Sequence, residues 1–143
     1  TKTSMVHSVA SMGITVKDFM STPVTTATGE DSVLEIRTLM QEKGIHAIPV
    51  ISYTNDTLKV EETIQGIISA TDMNKEVSED AAVKDVMNTS SVHVVHIDSS
   101  AQAAANMMLK HKVHHIVVMD EGEIKGMLSS LDFVRLVAEK VLD

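Results

Sequence analysis

Two serine–aspartate pairs stand out among the residues that could do chemistry. Ser69 and Asp72 end the stretch Gly-Ile-Ile-Ser-Ala-Thr-Asp, and Ser129 and Asp132 end Gly-Met-Leu-Ser-Ser-Leu-Asp. Each stretch predicts a buried strand that runs directly into a helix start. Such a junction can bind an anion through free backbone N–H groups, and a carboxylate can accept hydrogen bonds from both hydroxyls of a ribose. Ser-x-x-Asp is also a capping-box pattern, so nucleotide binding and helix capping both stay open.

Histidines form the second candidate group, and five of the seven lie in the second half of the chain: His93, His96, His111, His114 and His115. Imidazoles of this group could ligate zinc. Adjacent residues on a strand point to opposite faces, however, so His114 and His115 cannot both bind one ion without distortion. We therefore expect no metal site and keep a His-based divalent-metal sensor as an alternative.

Two cations follow the motif aspartates at helical spacing. Lys75 and Arg135 each lie three residues beyond the aspartate, one helical turn on. They could neutralise ligand phosphates or the aspartate itself. We expect them to be solvated charges on a helix surface.

The sequence lacks the residue patterns that several classes of function need. The chain of 143 residues has no Cys, no G-x-S-x-G, no H-E-x-x-H and no Gly-rich P-loop ending in Lys-Ser or Lys-Thr. A net charge of −8 and an aromatic content of 2% disfavour binding to nucleic acid. No apolar run reaches the ~20 residues of a membrane span. We expect a cytoplasmic protein that is not an enzyme, has no membrane span and does not bind nucleic acid.

The chain repeats itself, and the repeat positions both serine–aspartate pairs. Val16–Met20 recurs as Val83–Met87, and two longer stretches recur in the same order: Met40–Val50 as Met108–Val118, and Ile64–Met73 as Ile124–Phe133. A preserved order with offsets that change only at loops indicates a duplication. We divide the chain into an N-terminal segment 1–14, a first domain 15–77 and a second domain 78–143.

Each repeat predicts the element order β-α-β-β-α. A short strand, Val24–Ala27 or Val92–Ile97, precedes an amphipathic helix that begins at Ser32 or Ser99. A hairpin and a last helix, which starts near Asp72 or Asp132, follow. The hairpin turn is tight at Asp120–Glu123, whereas the first repeat has a longer polar insertion at Tyr53–Thr63. Because neither half can cover both faces of its sheet, we expect an α+β fold of two pseudo-twofold-related repeats packed through their sheets.

The doubled β-α-β-β-α pattern, with G-h-h-S-x-x-D (h, apolar) at the end of each copy, resembles a tandem pair of cystathionine β-synthase (CBS) domains, the Bateman module. The resemblance spans residues 15 to about 140. It implies that an adenosine-containing ligand (AMP, ADP, ATP or S-adenosylmethionine) binds in clefts between the two domains. In that family the aspartate holds the ribose, the serine approaches the phosphate, and the base lies against strand residues of the partner domain.

The resemblance implies two sets of contacts in this sequence. In one cleft Met127, Ser129 and Asp132 would face Met20, Thr25, Ile45 and His46. In the other, Ile67, Ser69 and Asp72 would face Met87, His93, Val113 and His114. His115 joins them as a further contact on the phosphate side.

The resemblance also implies a regulatory module without a catalytic cofactor. Ligand occupancy would be passed to a regulated protein that the sequence does not identify, and the module would form a homodimer. One further alternative stays open, a structural dimerisation module in which the Ser-x-x-Asp patterns only cap helices.

Overall fold

Six strands and four α-helices make up the described part of this computed structural model, which covers residues 13–56, 59–73, 76–90 and 92–141. In chain order they are β1 (Ala27–Thr28), α1 (Val33–Lys43), β2 (Ala47–Asp56), β3 (Lys59–Ser69), α2 (Val83–Val86), β4 (Val94–His96), α3 (Ala101–His111), β5 (His115–Asp120), β6 (Glu123–Ser129) and α4 (Ser130–Leu136). A 3-10 turn, Val16–Asp18, precedes β1, and a π-helical turn, Val137–Val141, continues α4. No helix in these ranges is long and apolar enough to cross a bilayer.

The strands form two three-stranded sheets of the same design, in the orders β1-β2-β3 and β4-β5-β6. In each sheet the first pair is parallel and the second is an antiparallel hairpin. A bulge interrupts the hairpin at equivalent places, after Val50 and after Val118, which lie opposite Gly66 and Gly126. The α+β fold and the repeat predicted from the sequence are therefore confirmed.

Caps define where the long helices begin and end. The Ser32 Oγ atom accepts a hydrogen bond from the Glu35 N–H at 3.1 Å, and Gly44 ends α1 with a φ of 64°. Both limits of α1 agree with the sequence prediction. The predicted start of α3 at Ser99 is wrong by one residue, because the Ser100 Oγ atom accepts from Ala103 N–H at 3.0 Å. Ser99 belongs to the preceding turn, where its N–H donates to the His96 carbonyl at 2.9 Å.

The polar insertion of the first repeat lengthens a hairpin instead of forming a separate loop. β2 and β3 pair from Ala47↔Ser69 out to Asp56↔Lys59, and beyond the bulge after Val50 their register is constant. The second repeat closes its hairpin with a two-residue turn in which Glu121 and Gly122 have φ values of 51° and 77°. Two positive φ values are typical of a type I′ turn, whose twist matches that of the flanking strands.

The compact units of the chain do not coincide with its sequence repeats. One unit contains Val24–Val92, and the other combines the residues up to Pro23 with those from His93 onward. Each sheet therefore packs with the Val-Lys-Asp-x-Met segment of the other repeat. Ser21, next to Met20, pairs with Met127, and Asn88, next to Met87, pairs with Ile67. The boundaries at 15–77 and 78–143 describe the sequence repeat. In the folded chain, each Val-Lys-Asp-x-Met segment packs in the unit that contains the sheet of the other repeat.

Each unit has its own hydrophobic core between one face of its sheet and its long helix. In the unit of Val24–Val92, the α1 stripe of Val33, Ile36 and Met40 is buried, as the helical periodicity predicts. These side chains pack against residues from the strands and from α2, namely Ala27, Ile48, Val50, Ile68 and Val83. The second core contains Val16, Val95, Ala104, Met108, Ile116, Val118 and Leu128.

Candidate ligand-binding site

Asp132 is a buried carboxylate with four hydrogen-bond donors around it. It lies in the first turn of α4 with 2% of its surface exposed. Its Oδ2 atom accepts from Ser129 N–H at 2.8 Å and from the Ser129 hydroxyl at 3.4 Å. Its Oδ1 atom accepts from the Ser21 hydroxyl at 3.1 Å and from Arg135 Nη1 at 3.2 Å. Both oxygens thus have partners within one unit of the chain.

Asp72 occupies the equivalent position in the first repeat, but its carboxylate has fewer partners. Its Oδ2 atom accepts from Ser69 N–H and from the Ser69 hydroxyl, both at 2.9 Å. Between the described residues, no donor reaches Asp72 Oδ1. The carboxylate is half-buried, and Lys75, the predicted cation, lies outside the described residues. Each aspartate therefore accepts the same two hydrogen bonds from its own serine, and the two differ in their other partners.

One serine–aspartate pair caps a helix, and the other closes a turn. In the second repeat Ser129 is the N-cap of α4 and forms a capping box with Asp132. In the first repeat the same bonds close a turn over residues 70–73, and the described residues between Ser69 and Val83 contain no helix. The helix predicted near Asp72 is therefore seen as a turn over these residues. Each cap uses one carboxylate oxygen, Oδ2, which leaves Oδ1 available for a different role.

Arg135 corrects one expectation. The sequence predicts a solvated helix charge, whereas the structure pairs the guanidinium with the carboxylate one turn back. The Arg135 side chain is still 57% exposed, while that of Asp132 is 3% exposed. A half-exposed guanidinium can leave a buried carboxylate at a modest free-energy cost, because water solvates it readily. Arg135 is thus a replaceable partner of Asp132.

A cavity of about 380 Å³ opens beside Asp132. Its walls come from the segment around the 3-10 turn and from α4 with its extension. The lining residues are Ile14, Asp18, Phe19, Met20, Asp132, Arg135, Leu136 and Glu139. The Phe19 and Phe133 rings pack edge to face at 5.0 Å and hold the two segments together. The volume lies in the range of roughly 300–1,000 Å³ that is usual for small-molecule sites.

Several of these lining residues were missed by the sequence analysis. Met20, Asp132 and the cation Arg135 were singled out, but Asp18, Phe19 and Glu139 were not. Asp18 and Phe19 belong to the repeated Val-Lys-Asp-x-Met motif, and that repetition was the available signal. Glu139 had no such signal, because only the fold of the π-helical turn places it at this cavity.

A second cavity, of about 430 Å³, lies in the unit of Val24–Val92. It contains Ile45 and His46, two residues predicted to contact ligand, beside Ala70 and Met73 of the Ser69–Asp72 turn. The Ala70 N–H donates to the His46 carbonyl at 3.1 Å, which ties the turn to the start of β2. The predicted contact of Ile45 and His46 with the other repeat stays a prediction.

The remaining predicted residues fall into two groups by unit. The unit with Asp132 also contains Met20, Met127, Ser129, His93, Val113, His114 and His115. There His115 pairs with Ser129 across the hairpin, and Ser130 N–H donates to the His114 carbonyl at 3.1 Å. The other unit contains the rest of the predicted residues, namely Thr25, Ile45, His46, Ile67, Ser69, Asp72 and Met87.

The histidines of the second half do not assemble into a metal centre in the described ranges. No three His, Asp or Glu side chains there lie close enough to share an ion. His93 and His111 instead stack with ring centroids 4.3 Å apart. Partial burial lowers the pKa of His93, and the adjacent His111 lowers it further. His96 Nε2 lies 3.0 Å from Asp120 Oδ1.

Comparison with known proteins gives the same family for both halves of the chain. The CBS domain model matches residues 16–79 and 83–139. An inosine-5′-monophosphate dehydrogenase of Korarchaeum cryptofilum is 31% identical over 117 residues, which cover 81% of this chain and 23% of that protein. A homoserine O-acetyltransferase of Methanococcus vannielii is 28% identical over 120 residues, 80% of this chain and 23% of that protein. The chain spans about a quarter of the length of the curated relatives it matches.

Solved structures show the same fold. The CBS domain pair of protein MJ0100, in complex with 5′-methylthioadenosine and S-adenosyl-L-methionine, has a TM-score of 0.73 and 25% identity over 88% of this chain and 97% of that one. CBSX2 in complex with AMP has a TM-score of 0.69 and 27% identity, covering 89% of this chain and 98% of that one. A CBS domain structure from Sphaerobacter thermophilus, 18% identical with a TM-score of 0.76 over 94% of both chains, shows the likeness of fold alone. With both repeats matched and the fold shared, the chain belongs to the CBS domain family as a tandem pair of CBS domains.

Proposed function

We propose that this CBS pair is a regulatory module that binds an adenosine-containing ligand (AMP, ADP, ATP or S-adenosylmethionine). The observation that carries the proposal is the state of Asp132, a buried carboxylate at the wall of a 380 Å³ cavity. Two replaceable donors hold its Oδ1 atom. The complexes of MJ0100 and CBSX2 with adenosine compounds support the class of ligand.

A ribose suits Asp132 because its two hydroxyls are donors of the kind that Oδ1 already accepts. Ligand binding would replace the Ser21 hydroxyl and the Arg135 guanidinium, so the buried oxygen keeps its hydrogen bonds throughout. Ser129 continues to satisfy Oδ2. The apolar side of the cavity, formed by Phe19, Met20 and other side chains, offers a surface for the base.

The pair Ser69 and Asp72 is the proposed second site. Its carboxylate has fewer partners than Asp132, so a ribose would displace less at Asp72 than at Asp132. The other residues implied by the family resemblance remain part of the proposal, namely Thr25, Ile45, His46, Ile67, Met87, His93, Val113, His114, His115 and Met127.

Regulation requires that the ligand prefer one arrangement of the protein over another. We place the module in the cytoplasm, without catalytic activity or a catalytic cofactor, as a homodimer that acts on a regulated protein. Three apolar side chains on the last helix support an interface between copies: Leu131, Val134 and Val137 are 63%, 61% and 44% exposed. Exposed apolar residues at helical spacing are typical of a surface that pairs with another chain.

The test is a calorimetric titration with AMP, ADP, ATP and S-adenosylmethionine. The proposal predicts heat of binding for at least one ligand, weaker binding in Asp132→Asn and Asp72→Asn, and none in the double variant. Asp80→Asn, which changes an exposed carboxylate, is the matched control. No heat with any ligand, or unchanged affinity in the double variant, would overturn the proposal.

A structural dimerisation module is the second candidate, and one observation favours it. The Ser129–Asp132 pair caps α4, the Ser69–Asp72 pair closes a turn, and Asp132 has four donors within the protein. This candidate predicts that Asp132→Asn lowers thermal stability and changes nothing else. The same titration separates the two candidates.

A further inference from the structure

The cavity beside Asp132 has more negative than positive charge. Its lining contains three carboxylates, Asp18, Asp132 and Glu139, and one guanidinium, that of Arg135. Arg135 pairs with Asp132 at 3.2 Å and would stay at the cavity after a ribose displaced it, so three carboxylates still outnumber one guanidinium in the described lining. Among the described residues, no cation pairs with Asp18 or Glu139. There the Asp18 carboxylate accepts only from the neutral N–H and hydroxyl of Thr15, at 2.9 and 3.2 Å.

This surplus matters for the choice between adenosine compounds. Carboxylates are negatively charged at neutral pH, and like charges a few ångströms apart repel each other, although exposure of Asp18 and Glu139 to water weakens the repulsion. A 5′ phosphate in this cavity would share it with the Asp18 and Glu139 carboxylates, and a triphosphate would bring further like charge. The net charge of −8 adds a long-range repulsion of the same sign. A sulfonium would be attracted, and an uncharged thioether would meet no penalty.

We infer that the ligand of this cavity is an adenosine derivative whose 5′ substituent bears no net negative charge, a thioether or a sulfonium, in preference to an adenosine phosphate. The inference rests on the proposed function and narrows its class of ligand. Asp132 and the apolar wall would hold the adenosine part in every case. Asp18 and Glu139 are therefore the residues that determine specificity.

The experiment is a calorimetric titration with four probes: 5′-methylthioadenosine, S-adenosylmethionine, AMP and ATP. It uses the full chain with Asp72→Ala, so that only the cavity beside Asp132 reports. We expect the two phosphate-free probes to bind about tenfold more tightly than AMP, and ATP to bind weakest. The preference should shrink at about 1 M salt, where the Debye length falls to about 3 Å. A cationic preference would show as S-adenosylmethionine binding more tightly than the uncharged thioether.

The decisive variant is Asp18→Asn with Glu139→Gln, which removes two charges and keeps both side-chain shapes. We expect its affinity for AMP to rise about tenfold while its affinity for 5′-methylthioadenosine is unchanged. The exposed Glu139→Gln change alone keeps the test available if Asp18→Asn disturbs the 3-10 turn. Glu42→Gln with Asp80→Asn makes the same change in net charge in the other unit. It should leave the ratio of the AMP affinity to the 5′-methylthioadenosine affinity unchanged.

The possible failures are distinguishable. AMP or ATP binding as tightly as 5′-methylthioadenosine, with no response to the loss of the two charges, would overturn this inference and leave the proposed function standing. Heat from none of the four probes, in this variant and in the wild-type chain alike, would overturn both.

Discussion

At the scale of single residues, the two motif aspartates should differ in what they contribute to stability. Asp132→Ala deprives Ser129, Ser21 and Arg135 of an acceptor in a buried place, which we expect to lower the free energy of unfolding by about 1–3 kcal/mol. We give Arg135 little weight in this figure because its side chain is 57% exposed. Asp72→Ala removes the acceptor of the Ser69 N–H and hydroxyl in a half-buried turn and should cost about 1 kcal/mol. Urea unfolding of both variants measures the difference, and a larger loss for Asp72→Ala would contradict it.

His93 should make stability fall in mild acid. Burial and then His111 lower its pKa from the ordinary 6.5, so the folded state prefers the neutral ring. As the pH falls through 6.5, the unfolded chain binds a proton that the folded chain resists, and stability decreases toward the lowered pKa. Thermal melts between pH 7.5 and about pH 5 should show a decline that His93→Gln reduces. An unaltered slope in His93→Gln would contradict the account.

At the scale of the elements, the bulge glycines make room for the Val-Lys-Asp-x-Met segments. A Cβ at Gly66 would lie 2.8 Å from the Asn88 carbonyl oxygen and 2.9 Å from Met87 Sδ. The Asn88 backbone cannot retreat without losing its pairing with Ile67. The three atoms nearest to a Cβ at Gly126 all belong to the side chain of Met20, whose far end can rotate.

We therefore expect Gly66→Ala to destabilise by about 1–3 kcal/mol and Gly126→Ala by less. Chemical unfolding of the two variants compares them directly. Because Met20 lines the cavity beside Asp132, the proposed function predicts that Gly126→Ala also alters ligand affinity. The reverse order of stabilities would show that the backbone at Asn88 adapts.

The start of α3 provides a prediction with its own control. Ser100→Ala should cost about 1 kcal/mol because the Ala103 N–H loses its acceptor. Ser99→Ala should stay within about 0.5 kcal/mol, as is usual for substitutions away from caps. Thermal unfolding of the two variants decides between neighbouring serines, and a larger loss at Ser99 would restore the sequence prediction.

The sequence predicted elements best where the local pattern was unambiguous. Ser32 and Gly44 mark the ends of α1 because a cap and a left-handed glycine each leave a distinct signature. Two serines are adjacent before α3, and Gln102 completes the capping-box pattern with Ser99 although Ser100 is the cap, so the choice between them required the structure. The polar residues of Tyr53–Thr63 conceal the alternation of a strand, so the sequence predicts a longer turn there. Their continuous pairing beyond the bulge is visible only in three dimensions.

At the scale of the whole molecule, the repeat was predictable and the exchange of segments was not. Similar repeats present similar surfaces, so the pattern of residues does not tell which sheet a Val-Lys-Asp-x-Met segment joins. The same holds for the candidate site. The serine–aspartate pairs were found from sequence, whereas Asp18 and Glu139 come to the cavity through a tertiary contact between the 3-10 turn and the last helix.

The exchange of the Val-Lys-Asp-x-Met segments between the repeats predicts which fragment of the chain folds better. A fragment of residues 24–92 contains a complete unit, including Val83, which is fully buried in its core. A fragment of residues 15–77 follows the sequence repeat but lacks Val83, Met87 and Asn88. We expect the first fragment to keep more secondary structure and to unfold more cooperatively. Far-ultraviolet circular dichroism during a thermal melt compares the two, and equal behaviour would contradict the importance of the exchanged segment.

The central claim, that Asp132 holds a ribose, is tested most directly by a crystal structure of the protein grown with 5′-methylthioadenosine. The account predicts both ribose hydroxyls within hydrogen-bond distance of Asp132, with Ser21 and Arg135 displaced from Oδ1 and the Ser129 cap intact. A structure with the nucleoside bound elsewhere, or absent at saturating concentration, and with Asp132 still bonded to Ser21 and Arg135, would contradict the claim.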